Sequence, residues 1–352
     1  MKIKIISMQR VLNHGSFLQA YGLMKVLQKN GADVRFEDIK SGFNNEACCQ
    51  KFLRKTDVSK FNRYRMRVYE KLQEKKLLRE QERYLHLSNS FASGEEVELT
   101  VIGSDEMFNC LAPSPWGITD QLFGNVPESN MVITYAVSCG HTTYEDVPRT
   151  YYPYISGALN NLEKISVRDE NTYQFVRAFT QKEIQYNLDP VLIYDFEQEI
   201  QRPRIRKKYL LVYSYTNRIN NREEILAIKR FAKERNLITI AAGVFQFWCD
   251  KNVPVSPFEL LGYFRNATYV VTDTFHGAVI SIKYNKPFAV FVRDSNSNKL
   301  SDLLNRLKRT DRMVNANSKL NDVLSADIDY EETNSIINEA RINTYSYLGV
   351  EK

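Results

Sequence analysis

Short aliphatic and β-branched runs alternate with helix-patterned stretches twice along this chain, and a polar segment at 197–208 separates the two series. Such alternation builds parallel sheets covered by helices, because joining parallel strands takes a crossover of helix length. In the first series, residues 2–7 read as a strand, 17–30 as an amphipathic helix closed by Gly31, and 34–37 as a second strand. LTVIG at 99–103, MVITYAV at 131–137 and the run at 165–167 continue it. In the second series, strands at 209–213, 238–241, 269–272 and 287–292 are separated by helices at 222–235, at 257–266 and from Gly277 onward. At 352 residues the chain exceeds what one core usually supports, so two α/β lobes are expected. They span 1–196, with a basic helical insertion at about 43–90, and 209–330, with 331–352 a C-terminal helix.

The candidate chemistry gathers where strands end. In YVVTDTFHGAVIS, at 269–281, a strand passes through Thr272, Asp273, Thr274, Phe275, His276 and Gly277 into a small-residue helix. A strand-to-helix turn aims backbone N–H groups at one point, which suits an anion. His276, beside the permissive Gly277, can give or take a proton near neutral pH. The plainer reading is that Asp273 caps the helix and His276 is a hydrogen-bonded core residue. Asn13-His14-Gly15-Ser16 and Asp105 occupy comparable points, each able to act on a ligand or simply to cap a following helix. Arg168 follows the strand at 165–167, where it can grip a phosphate or carboxylate through two hydrogen bonds or pair with Asp169 on the surface. His14 and His141 both follow strand ends and are candidates for lining the same cleft.

Several classes are disfavoured. No GxGxxG and no P-loop sequence is present, which argues against dinucleotides and P-loop nucleotide chemistry. Nucleic acid is not an expected partner, because the basic residues lack interleaved stacking aromatics in a known motif. Cys48, Cys49, Cys110, Cys139 and Cys249 form no CxxC pair and read as reduced thiols of a cytoplasmic protein. MKIKIISMQR turns polar too soon for a signal peptide, and no apolar run is long enough to span a bilayer. The net charge is +6, yet residues 51–86 alone carry twelve Lys/Arg against five Asp/Glu. That run is a candidate for peripheral membrane contact; the plainer reading is a solvated helix face.

TDTFHGAVISIKYNKPF resembles the C-terminal signature of the polysaccharide pyruvyltransferase family, where a T-D-[ST]-F-H-G-type turn precedes a small-residue helix and an N-K-P-F segment. NHGSFLQAYGLMKVLQKNG (13–31), VIGSDEMFN (101–109), TYAVSCG (134–140), ISVRDENT (165–172) and LDPVLIY (188–194) fall in the family's order and together span most of the chain. The resemblance implies a glycosyltransferase-B-like fold, two Rossmann-like lobes facing a central cleft, with the last helix packing back on the first lobe. It implies an enzyme that transfers the pyruvate carbons of phosphoenolpyruvate onto two hydroxyls of a sugar, in a polysaccharide or a lipid-linked precursor. The product is a cyclic ketal plus phosphate, with no cofactor and no metal.

On that reading His276 and Asp105 are catalytic, while Arg168, Asp273, Thr274, Phe275, Gly277, Asn13 and Lys299 hold substrate. Family members often carry Arg-Leu where this chain has Thr274-Phe275, and an aromatic Tyr is usual at the position of His14. The second cationic contact then falls to Lys299 or Arg293, or Thr274 donates a weaker hydrogen bond. The alternative is a nucleotide-sugar glycosyltransferase of similar fold, for which Asp327-Ile328-Asp329 is the nearest metal-binding pattern. A third reading is a non-catalytic sugar-binding protein.

Overall fold

The first series of apolar runs supplies six strands, β1 (Lys2–Ile6), β2 (Asp33–Phe36), β3 (Val97–Asp105), β4 (Ser129–Val137), β5 (Ile165–Val167) and β6 (Ile184–Tyr186). They form one sheet in the order β2-β1-β3-β4-β5-β6, parallel throughout. The second series gives β7 (Tyr209–Tyr213), β8 (Ile238–Ala242), β9 (Lys251–Val253), β10 (Tyr269–Thr272), β11 (Phe288–Phe291) and β12 (Met313–Val314). These pair in parallel in the order β12-β11-β10-β7-β8-β9, the doubly wound Rossmann order. The computed structural model describes residues 1–43, 60–92, 94–112, 114–216, 218–293, 297–315 and 319–350.

Helices cover both faces of each sheet, so the inner strands read as continuous apolar runs rather than alternating ones. YLLVY of β7 and FAVF of β11 are buried at every position. The helices are α1 (His14–Gln28), α2 (Lys60–Leu85), α3 (Tyr152–Leu159), α4 (Glu170–Arg177), α5 (Pro190–Ile193), α6 (Arg222–Glu234), α7 (Pro257–Asn266), α8 (Phe275–Lys283), α9 (Ser297–Arg306), α10 (Leu320–Ser325) and α11 (Glu331–Leu348). Two Rossmann-like lobes facing a cleft are thus what the chain builds.

Several contacts tie the lobes together. Phe17 and Tyr21 of α1 pack edge-on against Phe258 of α7, with ring centroids 5.6 and 5.1 Å apart, so the seam is built like a core. The C-terminal helix α11 lies against β4, where the Tyr347 hydroxyl donates to the Thr134 carbonyl at 2.8 Å and the Tyr135 hydroxyl meets Thr344 Oγ1 at 3.1 Å. Helix α2 reaches both lobes, through the Tyr69 hydroxyl on the Val253 carbonyl (2.9 Å) and Gln81 Nε2 on the Gln9 carbonyl (2.9 Å).

The described part of the basic insertion expected at about 43–90 contains helix α2, and 44–59, with Cys48, Cys49, Lys51, Arg54 and Lys55, lie outside the described residues. Cys110, Cys139 and Cys249 are buried, and none of them is in a disulfide among the described residues. No described helix is long and apolar enough to cross a membrane.

Candidate active site

In an open parallel sheet, ligands bind beyond the carboxyl ends of the strands, where neighbouring connections depart in opposite directions. Here those points are the β1/β3 and β7/β10 junctions, and they face one another. Between them is a hollow of about 110 Å³. The first lobe contributes Asn13, Ser16, Asp105, Glu106 and Arg168; the second contributes Tyr213, Tyr215, Arg218, Thr274, Phe275, His276 and Lys299.

His276 and Arg168 come from opposite lobes and meet on one carboxylate, that of Asp189. Arg168 Nη1 donates to Asp189 Oδ2 at 2.9 Å, and His276 Nε2 lies 3.5 Å from the same oxygen. Asp189 is fully buried at the N-terminus of α5, where its other oxygen accepts from the Val191 N–H. Burial pushes its carboxyl up, but His276 and Arg168 outweigh that and hold it below the ordinary value. With Asp189 beside Nε2, the imidazole is oriented as in a carboxylate–histidine pair, leaving Nδ1 to exchange a proton. The ring lies flat against the first turn of α1: a Cβ on Gly15 would come within 2.1 Å of Nδ1. A glycine is therefore required there for close approach, not for its dihedral freedom.

The Arg168 guanidinium stacks over the Phe275 ring, 4.1 Å from its centroid, and is almost entirely buried. Its second prong, Nη2, stands 3.6 Å from Asp105 Oδ1, longer than a hydrogen bond. That prong is the one an incoming carboxylate or phosphate can take over. Asp105 is fixed from the other side by the Ser16 hydroxyl, which donates to Oδ2 at 2.9 Å. Its φ of +89° is a costly conformation for a residue with a side chain, of the kind that collects at functional sites.

Lys299 of α9 pairs across the cleft with Glu106, which also accepts from Asn109 Nδ2 at 2.6 Å. Burial raises the Glu106 carboxyl, but Lys299 and Asn109 override it and hold it down to about 2. Arg218, which nothing in the sequence singled out, completes a set of three cations with Arg168 and Lys299.

Several expectations need correction. Asp273 does not cap α8; Thr274 does, its Oγ1 accepting from the Gly277 N–H at 3.0 Å. Asp273 is buried behind the turn, with Arg218 Nε at 3.4 Å and Arg293 Nε at 3.6 Å from Oδ2, and it does not line the hollow. Gly277 sits inside α8, where a Cβ would strike Thr272 Oγ1 at 2.0 Å; its role is packing. The Thr274 N–H is taken by Thr272 Oγ1 at 3.1 Å, so with Gly277 also engaged the turn offers an anion less than a bare helix start would. Arg293 is held by two 2.7 Å hydrogen bonds to Glu224 and lies outside the hollow. His141 is exposed in the turn after β4, and Asp327 and Asp329 are exposed between α10 and α11. Among the described residues no group of three or more His, Cys, Asp or Glu is placed to hold a metal ion.

His14 is buried in the seam between the lobes, where Nε2 meets the Val255 carbonyl and Gln73 Nε2, each at 3.1 Å, and its ring lies on Gly243. Burial lowers its pKa from 6.5 to about 4. Because the folded value lies below the unfolded one, the unfolded chain takes the proton first as pH falls. Stability is therefore full above pH 6.5, declines between 6.5 and about 4, and is level below that. The loss is on the order of 3 kcal/mol. A His14→Gln chain should lose less stability over that interval, as read by thermal melts; an identical pH profile would contradict this placement.

Next to the hollow the first lobe holds a larger cavity of about 600 Å³. Glu106 borders both, and Met107, Phe108, Trp116, Ile118 and Phe123 give the larger one a mainly apolar wall with Asn109 among its polar groups.

A family model described as polysaccharide pyruvyl transferase matches residues 13–295 of the chain. Among curated proteins no sequence matches. Solved structures similar in fold include the glycotransferase of kitacinnamycin, at 12% identity and TM-score 0.48, covering 99% of this chain and 97% of that one. The Methanocaldococcus jannaschii UDP-GlcNAc 2-epimerase in complex with UDP-GlcNAc and UDP aligns at 11% identity and TM-score 0.48, covering 98% and 100%. The UDP-N-acetylglucosamine 2-epimerase from Rickettsia bellii aligns at 12% identity and TM-score 0.47, covering 99% and 96%.

Proposed function

The chain belongs to the polysaccharide pyruvyl transferase family, and from that premise we propose that its cleft transfers pyruvate from phosphoenolpyruvate to two hydroxyls of one saccharide, forming a cyclic ketal. The observation that carries this is the pairing of His276 with three cations, Arg168, Arg218 and Lys299, around one small hollow. Three cations suit a dense, compact anion. The volume of about 110 Å³ suits a three-carbon acid better than a nucleotide sugar.

The reaction needs a proton at C3 of the enol phosphate, which leaves a cationic centre at C2; one hydroxyl adds there, the C2–O bond to phosphate breaks to renew the cation, and the second hydroxyl adds to close the ketal. His276, oriented by Asp189, is the acid for that step, and the recovered imidazole accepts a proton from an attacking hydroxyl. Of the two hydroxyl protons released, one replaces the proton given to C3 and the other leaves with phosphate, so the site ends as it began. Arg168 Nη2 and Arg218 hold the donor's anionic groups, and Lys299 joins them by giving up Glu106. Asp105, held by Ser16, faces the developing positive charge at C2 and is the second candidate proton acceptor. The saccharide occupies the adjoining first-lobe cavity, where Trp116 offers a stacking face and Asn109 and Glu106 offer hydrogen bonds.

The test incubates the protein with phosphoenolpyruvate and a panel of saccharides. Release of phosphate together with a saccharide gaining the mass of pyruvate less water is expected. Consumption of a nucleotide sugar with glycosyl transfer would replace this reading by that of a glycosyltransferase.

A further inference from the structure

Helix α2 has two faces, and the cleft uses only one. Gln73 accepts from the Val255 N–H at 3.0 Å and donates to its carbonyl at 2.7 Å, Lys76 pairs with Glu259 at 2.7 Å, and Gln81 Nε2 donates to the Gln9 and Val11 carbonyls at 2.9 and 3.2 Å. These contacts reach both lobes and fix the rotation of the helix, so the face turned outward is fixed as well.

That outward face carries an apolar line. Phe61, Tyr64, Val68 and Leu72 follow one another at helical spacing over the first half of the helix and are 70%, 69%, 42% and 52% exposed, while Lys75 and Arg79 continue the same line. Lys60, Arg67 and Lys71 are exposed beside them, while the nearest acids, Glu70 and Glu74, sit toward the flank. A monomer rarely leaves so many large apolar groups in line on one helix.

We propose that this face docks the protein on an anionic lipid surface, with the aromatic and aliphatic side chains in the interfacial layer and the Lys and Arg heads on the lipid phosphates. The composition selects this occupant. Aromatic and aliphatic groups flanked by long cations are the pattern of a helix lying in the plane of a membrane interface, and Lys and Arg can bury their stems there while keeping their charges at headgroup level. A second copy of the chain is disfavoured, because pairing two such faces opposes cations with cations. A nucleic acid would leave the apolar stripe wet. As α2 is strapped to both lobes, at Val253 of β9 and Val255 in the second and at Gln9 and Val11 in the first, docking through it holds the whole two-lobed body in one orientation to the surface.

The experiment sediments the full chain with phosphatidylglycerol–phosphatidylcholine vesicles and with vesicles of phosphatidylcholine alone, comparing it with Phe61→Glu and Leu72→Glu chains whose thermal midpoints match the parent. The parent is expected to pellet with the anionic vesicles, to release partly at high salt and to stay in solution with the neutral ones. Each variant is expected to bind the anionic vesicles roughly tenfold less. Equal binding by parent and variants would place any attachment elsewhere, and no binding by the parent would overturn the proposal. So would a dimer in sedimentation velocity that either substitution dissolves, since the face would then be an interface between copies.

Discussion

The His276→Ala protein is expected to form ketal roughly 10²- to 10⁴-fold more slowly than the parent, the loss a missing general acid–base brings, with its fold intact. The fold is expected to survive because the imidazole contributes little to the core. It is partly exposed to the hollow, and its partner Asp189 keeps the Arg168 pair when the ring is gone. Donor affinity is expected to change much less than turnover, since the cations that hold the anion are untouched. Turnover at the parent's rate would remove His276 from the mechanism. A collapse of the melting temperature would mean that the residue serves structure instead.

Arg168→Ala is expected to act on two observables at once. The guanidinium is buried, bridges Asp189 and Asp105, and is raised above its ordinary pKa because those carboxylates outweigh the cost of burial. Its removal leaves Asp189 buried beside only the imidazole, and breaking such a network typically costs about 3–5 kcal/mol. A lower denaturation midpoint is therefore expected together with weaker donor binding. Arg168→Lys separates the two effects: it retains a charge for Asp189 but loses the two-pronged geometry and the stacking on Phe275, so stability should recover further than affinity.

These expectations sharpen what could be read from the residues alone. The strands were legible because parallel, fully covered strands are continuous apolar runs, and β7 and β10 stand out as such. The strand ends pointed to Asp105, Arg168 and His276 for the same reason: in this fold the ends of strands are where side chains face a ligand. Asp189 was visible only as the Asp of LDPVLIY, because its importance lies in two partners at distances in sequence that no local pattern encodes. Arg218 lies in a loop with no periodicity at all. Thr274 and Asp273 exchanged their expected parts because either residue type can cap a helix, and only the chain's path decides which side chain faces the free N–H groups. The seam between lobes was also out of reach. His14 reads as a cleft histidine until the second lobe is placed, after which Gly243 and Val255 enclose it.

In the proposed reaction a small phosphorylated acid is held between the lobes by Arg168, Arg218 and Lys299 next to His276. Calorimetric titration with phosphoenolpyruvate tests it most directly. Saturable binding of one molecule per chain is expected, weakened by Arg168→Ala and by Arg218→Ala. A titration without binding heat at several temperatures, or an affinity indifferent to both substitutions, while a nucleotide sugar binds in its place, would rule this donor site out.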